Sequence, residues 1–267
     1  MAREGEATVG DIEIAYRIQG QGRALLLIMG LGGTYDIWDP TLVADLAQHY
    51  QVISFDNRGI GKTTPGTRPF TILQFADDTA GLLQALGIDR AHVLGWSLGS
   101  HIAQELVLNY PQRVDRLILY ASLCGGREAI RRPEAMAQFT DTSGGPQQQA
   151  ERLLRLILPP AWIQDHLPYV LKVFVHPLHR VTQASIERQV QAEREWAGTW
   201  DRLARVSRPT LVVTGADDQA TPPENSLILA ERIPRAWLAY FSGGGHGMMY
   251  QHPHQFAATI RSFLEAP

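Results

Sequence analysis

Short apolar runs recur along this chain, separated by longer stretches of helical periodicity, and no other property of the sequence restricts the fold as much. The runs are ALLLI (24–28), VISF (52–55), HVLGW (92–96), VDRLILY (114–120), TLVVTG (210–215) and AWLAYF (236–241), each bounded by Gly, Pro or polar residues. Continuous apolar strands are those buried on both faces, as in parallel sheets joined by crossover helices. Helices are expected over about 42–49, 72–86, 98–109, 223–232 and 253–264. Ile12, Ile14 and Tyr16 alternate with polar residues behind a Gly10-Asp11 turn, which suggests an antiparallel edge strand ahead of the buried ones. The expected class is therefore α/β, with a mostly parallel central sheet and flanking helices.

The rhythm breaks between 124 and 206. QQQAERLLRLIL and ASIERQVQAEREWAGTW have amphipathic helical patterns, while Pro133, Pro146, Pro159, Pro160, Pro168 and Pro177 divide the segment into several pieces. It reads as a helical insertion on a core domain made of residues 1–123 and 207–267. A chain of 267 residues, 45% hydrophobic and 19% charged, has ample material for one large core.

Charge and cysteine content exclude several function classes. The net charge of -3, with no basic stripe, lacks the footprint of a nucleic-acid or membrane-surface partner, so a small-molecule substrate fits better. Cys124 is the single cysteine, which rules out an intramolecular disulfide and a Cys-based zinc site. The first ten residues lack the apolar core of a secretory signal. No apolar run approaches the roughly 18 residues of a membrane span. A soluble, cytoplasmic protein is expected.

The chemistry concentrates at the ends of the apolar runs. In GWSLG, Ser97 sits between Gly95 and Gly99 where a strand meets a helix. A serine on so sharp a turn exposes its hydroxyl at the sheet edge, with the amino end of the next helix favouring negative charge there. The alternative is a serine that merely caps the helix. In FSGGGHGMM, His246 follows the last strand among glycines that give its ring room. Of the other histidines, the HPLH pair His176 and His179 could hint at a metal but has neither a cysteine nor a clear carboxylate partner. A histidine base needs an acceptor to fix its tautomer, and GADDQATPP supplies Asp217 and Asp218 after another strand. Nucleophile, acid and base thus follow one another at strand ends, where ligands collect in open α/β sheets. Oxyanion donors are expected from the N–H of Leu98 and from Leu31 in the loop MGLGGT. GIGKTT is no P-loop, because Asp56 stands where glycine is required, and GLGGTY fails the dinucleotide pattern at Tyr35.

Together the Gly30–Gly33 loop, DNRGIGKT, GWSLG, GADDQATP and GGGHG resemble the α/β-hydrolase superfamily over essentially the whole chain. The resemblance selects Asp218 over Asp217, since the family acid closes a G-x-x-D turn that leads toward proline. It also implies that 124–206 is a helical cap shaping the pocket. Trp162, Phe174, Trp196 and Trp200 are aromatics to examine for pocket lining, the alternative being packing between cap helices, and Trp96 either lines the pocket beside Ser97 or packs at the strand tip. The family commonly has His-Gly where this chain has Met29-Gly30. That histidine supports the loop, so Met29 bears on the loop's anchoring and not on the chemistry. Serine at 97 disfavours the relatives that use an aspartate nucleophile. The implied activity is hydrolysis of carboxylic esters or lactones with no metal or organic cofactor. Two rivals fit the same residues: a perhydrolase or carbon-carbon bond hydrolase, and a small-molecule receptor that keeps the triad.

Overall fold

A computed structural model describes residues 2–174 and 181–267. Its strands are β1 (Arg3–Val9), β2 (Ile12–Gln19), β3 (Arg23–Ile28), β4 (Tyr50–Phe55), β5 (Ala91–Trp96), β6 (Val114–Tyr120), β7 (Thr210–Gly215) and β8 (Trp237–Phe241). They form one sheet in the order β1-β2-β4-β3-β5-β6-β7-β8. The β1–β2 and β2–β4 pairs are antiparallel, and every pair from β4 across to β8 is parallel.

The helices, in chain order, are α1 (Pro40–Ala47), α2 (Ile72–Ala85), α3 (Leu98–Asn109), α4 (Pro133–Thr140), α5 (Pro146–Ile157), α6 (Pro160–Asp165), α7 (Leu167–Phe174), α8 (Gln183–Glu195), α9 (Glu224–Arg232), α10 (Met248–Gln251) and α11 (Pro253–Leu264). Strand alternation divides the core into two layers. Leu26 and Ile28 face a cluster with Phe75 of α2, Ile102 of α3 and Leu229 of α9. Leu25 and Leu27 face one with Leu42 of α1 and Phe256 of α11. Both faces are covered, which explains why the inner strands read as unbroken apolar runs.

Two expectations change. Residues 12–19 do not form the edge, because β1 pairs along β2 from Arg3↔Ile18 to Val9↔Ile12 and takes that place. Glu4 and Glu6 give β1 no apolar alternation to betray it. At the other end β8 is not a buried strand but the opposite edge, with Trp237, Leu238 and Tyr240 all substantially exposed. Aromatic and β-forming residues suit a half-buried edge as well as a core, so composition alone did not separate the two.

Between β6 and β7 the described residues form α4 through α8 and no strand. No helix among the described residues is long and apolar enough to cross a membrane. The core's turn after β4 is locked by Arg58, fully buried between Asp78 of α2 (2.7 Å) and Asp11 of the β1–β2 turn (2.8 Å). Their charges hold the guanidinium well above its usual pKa and Asp11 well below the carboxylate range, against the cost of burial.

Candidate active site

Ser97 joins β5 to α3 with φ 55° and ψ -122°, a conformation that costs a non-glycine residue of order 1–3 kcal/mol. The surroundings over-determine it. A side chain at Gly95 would place its Cβ 2.3 Å from the Gly99 carbonyl oxygen, and one at Gly99 would lie 2.0 Å from that of Ile28. Strand, turn and helix approach so closely that only glycine fits on either side. The Ser97 N–H donates to the Tyr120 carbonyl (2.9 Å), and its own carbonyl accepts from Ser100 (2.5 Å). Its hydroxyl makes no capping bond to α3. Asp39 and Thr71, at the starts of α1 and α2, do make such bonds.

His246 lies in the turn after β8 and is 2% exposed. Its Nδ1 is 2.9 Å from Asp218 Oδ2 and 3.1 Å from Oδ1. Asp218 is fully buried behind β7, and Oδ1 also accepts from the N–H groups of Ala220 (2.9 Å) and Thr221 (2.7 Å). Asp217 is exposed and bonds through its main chain, its N–H donating to the Gly244 carbonyl and its own carbonyl accepting from Gln219 Nε2. A carboxylate held in this way fixes the imidazole with Nε2 free to accept a proton.

Sequence reasoning missed what holds His246 in place. Its main-chain carbonyl accepts from Trp96 Nε1 (3.0 Å) and from the Tyr120 hydroxyl (2.7 Å), donors at the ends of β5 and β6. Burial pushes the Tyr120 phenol well above its usual pKa, so it stays a donor. Trp96 is therefore a packing and hydrogen-bonding support, stacked on Tyr120 at 5.9 Å between ring centroids.

Ser97 opens into a cavity of about 420 Å³ lined by Leu31, Leu123, Ala135, Phe139, Thr221 and Glu193 among others, with Arg131, Arg132 and Arg194 also contributing. None of the five aromatics singled out above is among its lining residues. Trp96 packs beneath His246, Trp162 stacks on His166, Phe174 meets Tyr250, and Trp196 stacks on His101 at 4.7 Å. Trp200 lies under the Arg232 guanidinium. Phe139 of α4 carries no sequence signal that distinguishes a cavity-lining ring from a packed one. Glu193 lies 3.6 Å from His101 and is pushed up to about 7 by burial, while burial pushes the His101 imidazole down to about 3. The His176/His179 metal hint lies outside the described residues, and among those described no cluster of His, Cys, Asp and Glu could hold a metal.

The loop after β3 runs beside Ser97, with a Cβ at Gly30 falling 3.2 Å from that of Ser97. Among the described residues neither the Leu31 nor the Leu98 N–H is given to another protein group. Met29 is buried under Gly33, and Asn57 Nδ2 holds its carbonyl (2.9 Å). The Gly32 N–H donates to Gln189 Oε1 of α8 (2.8 Å).

With this geometry, residues 23–253 match the family described as alpha/beta hydrolase fold. The chain belongs to that family. Its α/β-hydrolase relatives include the Azorhizobium caulinodans protein named "Putative carbamate hydrolase RutD", 30% identical over 95% of this chain and 96% of its own. Among solved structures it is similar to a hydrolase from Pseudomonas aeruginosa PA01 (30% identity, TM-score 0.86, 99% of each chain). It is also similar to the enol-lactonase from Burkholderia xenovorans LB400 (25% identity, TM-score 0.84, 98% of this chain and all of the other).

Proposed function

We propose that this α/β-hydrolase cleaves carboxylic esters or lactones of small molecules through an acyl-enzyme on Ser97. The observation that carries the reading is the His246–Asp218 pair, buried at the same sheet edge as a serine whose strained turn leaves its hydroxyl facing a cavity. His246 takes the hydroxyl proton as Ser97 attacks the carbonyl, and the N–H groups of Leu31 and Leu98 receive the oxyanion. The proton then passes to the leaving alkoxide. Water, deprotonated by His246, releases the acid and restores Ser97. Asp218 orients the imidazole and stabilises its charged form. Ser97 and His246 are not hydrogen-bonded in the free protein, a contact that commonly tightens only when substrate is bound.

The chemistry calls for no metal or organic cofactor. In this reading 124–206 acts as a cap that sets which acyl group reaches Ser97. The enol-lactonase likeness supports a cyclic ester as one substrate type, and the carbamate hydrolase relative adds carbamates to the acyl derivatives to be tried.

The test is a panel of short and long acyl esters, lactones, carbamates and vinylogous diketones, given to wild type and Ser97→Ala. Turnover of esters or lactones that falls by about 10⁶-fold in the variant is expected. Undiminished turnover in Ser97→Ala would overturn the proposal. Preference for diketones would move the reading to carbon-carbon hydrolysis, and a single turnover with retained product would move it to a receptor.

A further inference from the structure

The two expected oxyanion donors are held very differently. Leu98 is the first residue of α3, a helix whose residues from Leu98 to Val107 are all buried, so its N–H is fixed by the core. Leu31 sits in a glycine-rich loop whose only internal backbone bond among the described residues is Gly33 N–H to the Gly30 carbonyl, a long one at 3.3 Å. Two side chains fix the loop on either side of Leu31. Asn57 of the core holds the Met29 carbonyl before it, and Gln189 of α8 holds the Gly32 N–H after it.

The Gln189 contact is built, not incidental. Gln189 is completely buried, and its amide orientation is dictated by the donor it meets, since the opposite flip would set N–H against N–H. Its Nε2 has no partner among the described residues. An unpaired buried donor of this kind costs about 1–3 kcal/mol, and such costs are retained where they serve a site. Gly32, at φ +66°, is the residue that turns the loop toward α8, with Ile186 one helical turn earlier packed 3.5 Å from where its Cβ would stand. Ile186, Gln189 and Glu193 are spaced three and four apart on one face of α8, and that face rests on the loop and, through Glu193 and His101, on α3.

We propose that Gln189 is a positioning residue: its carboxamide oxygen, by holding the Gly32 N–H, aims the Leu31 N–H at the carbonyl oxygen of an acyl substrate on Ser97. This rests on the acyl-transfer reading above. Half of the oxyanion hole is then permanent, and the other half exists only while α8 is seated. It also supplies the anchor that the family's histidine would give and that Met29 cannot.

The experiment compares Gln189→Leu, Gln189→Met and Ile186→Ala with wild type on 4-nitrophenyl acetate, with phenylboronic acid as a tetrahedral probe. Thermal unfolding is followed alongside. Losing the acceptor should lower kcat by about 10- to 100-fold with KM changed less than threefold, part of the effect of deleting a donor outright. The inhibition constant for phenylboronic acid should rise in parallel, because that adduct needs the hole and ground-state binding does not. Gln189→Met carries the test if leucine's branch prevents folding. Ile186→Ala loosens packing on the same glycine but leaves the acceptor, so its kcat and boronate affinity should stay within threefold of wild type. Unchanged kcat and boronate affinity in folded Gln189 variants would overturn the proposal. So would losses no larger than those in Ile186→Ala. A wild type that neither turns over esters nor binds the boronate would instead remove the functional reading on which it stands.

Discussion

The sheet core and the helical insertion meet at Ser97 and are built by different rules. In the core, Ser97, Asp218 and His246 hang from strand ends whose neighbours are buried and whose glycines leave no room for a side chain. In the insertion, α6 buries no residue fully and α7 buries only Val170 among those described. Yet the insertion reaches both loops of the site, through Gln189 to Gly32 and through the Ile157 carbonyl to the Gly247 N–H (2.8 Å). The core residues are held by close backbone approaches, and the insertion touches the loops of the site through single hydrogen bonds.

That division can be broken at several points. The largest effect is expected from Asp218→Asn, which keeps the geometry but leaves His246 in the wrong tautomer: a loss of about 10⁴-fold in kcat on any accepted ester. A loss below tenfold would mean that the core pair is not a catalytic unit. Next comes Gly99→Ala, whose methyl would strike the Ile28 backbone and should destabilise the fold by about 3 kcal/mol or more, read as the urea midpoint. Near-normal stability would show that the elbow has slack.

A smaller effect tests the seam between the regions. From pH 4.5 to 7 unfolded Glu193 gives up a proton that the folded form keeps, so its contribution falls as pH rises. His101 does the reverse from pH 6.5 down to about 3, where the unfolded chain binds a proton that the folded one refuses. Over pH 4.5–6.5 the two offset each other. Glu193→Gln should expose the histidine alone, with stability falling by about 2–3 kcal/mol as the pH drops from 6.5 to 4.5. Urea titrations at both pH values read this out, and a variant as flat as wild type would dissolve the pairing. The smallest effect belongs to the insertion proper: Phe139→Ala should change KM for long acyl esters by about tenfold while kcat on acetate esters holds within a factor of two.

The core was legible because its constraints are local. Apolar runs mark strands buried on both faces, and G-x-S-x-G announces a turn that two backbone approaches make obligatory. The acid was narrower than the residues alone allowed, since Asp217 and Asp218 differ only in which one turns inward. The insertion resisted reading because its helices pack through faces whose partners lie far away in sequence. Trp96, Trp162 and Phe174 left pocket lining and packing both open, since a large ring carries the same signal in either place, and all three lie in aromatic packing. Gln189 is 157 residues from the glycine it holds, and no periodicity encodes such a bond.

The clamp on the His246 carbonyl has a consequence for how the two residues are spaced. Its two donors come from β5, the strand that ends at Ser97, and from β6 beside it, and the Ser97 N–H is itself held by the Tyr120 carbonyl at the end of β6. Ser97 and the main chain of His246 are therefore referenced to the same pair of strands, like two marks on one ruler.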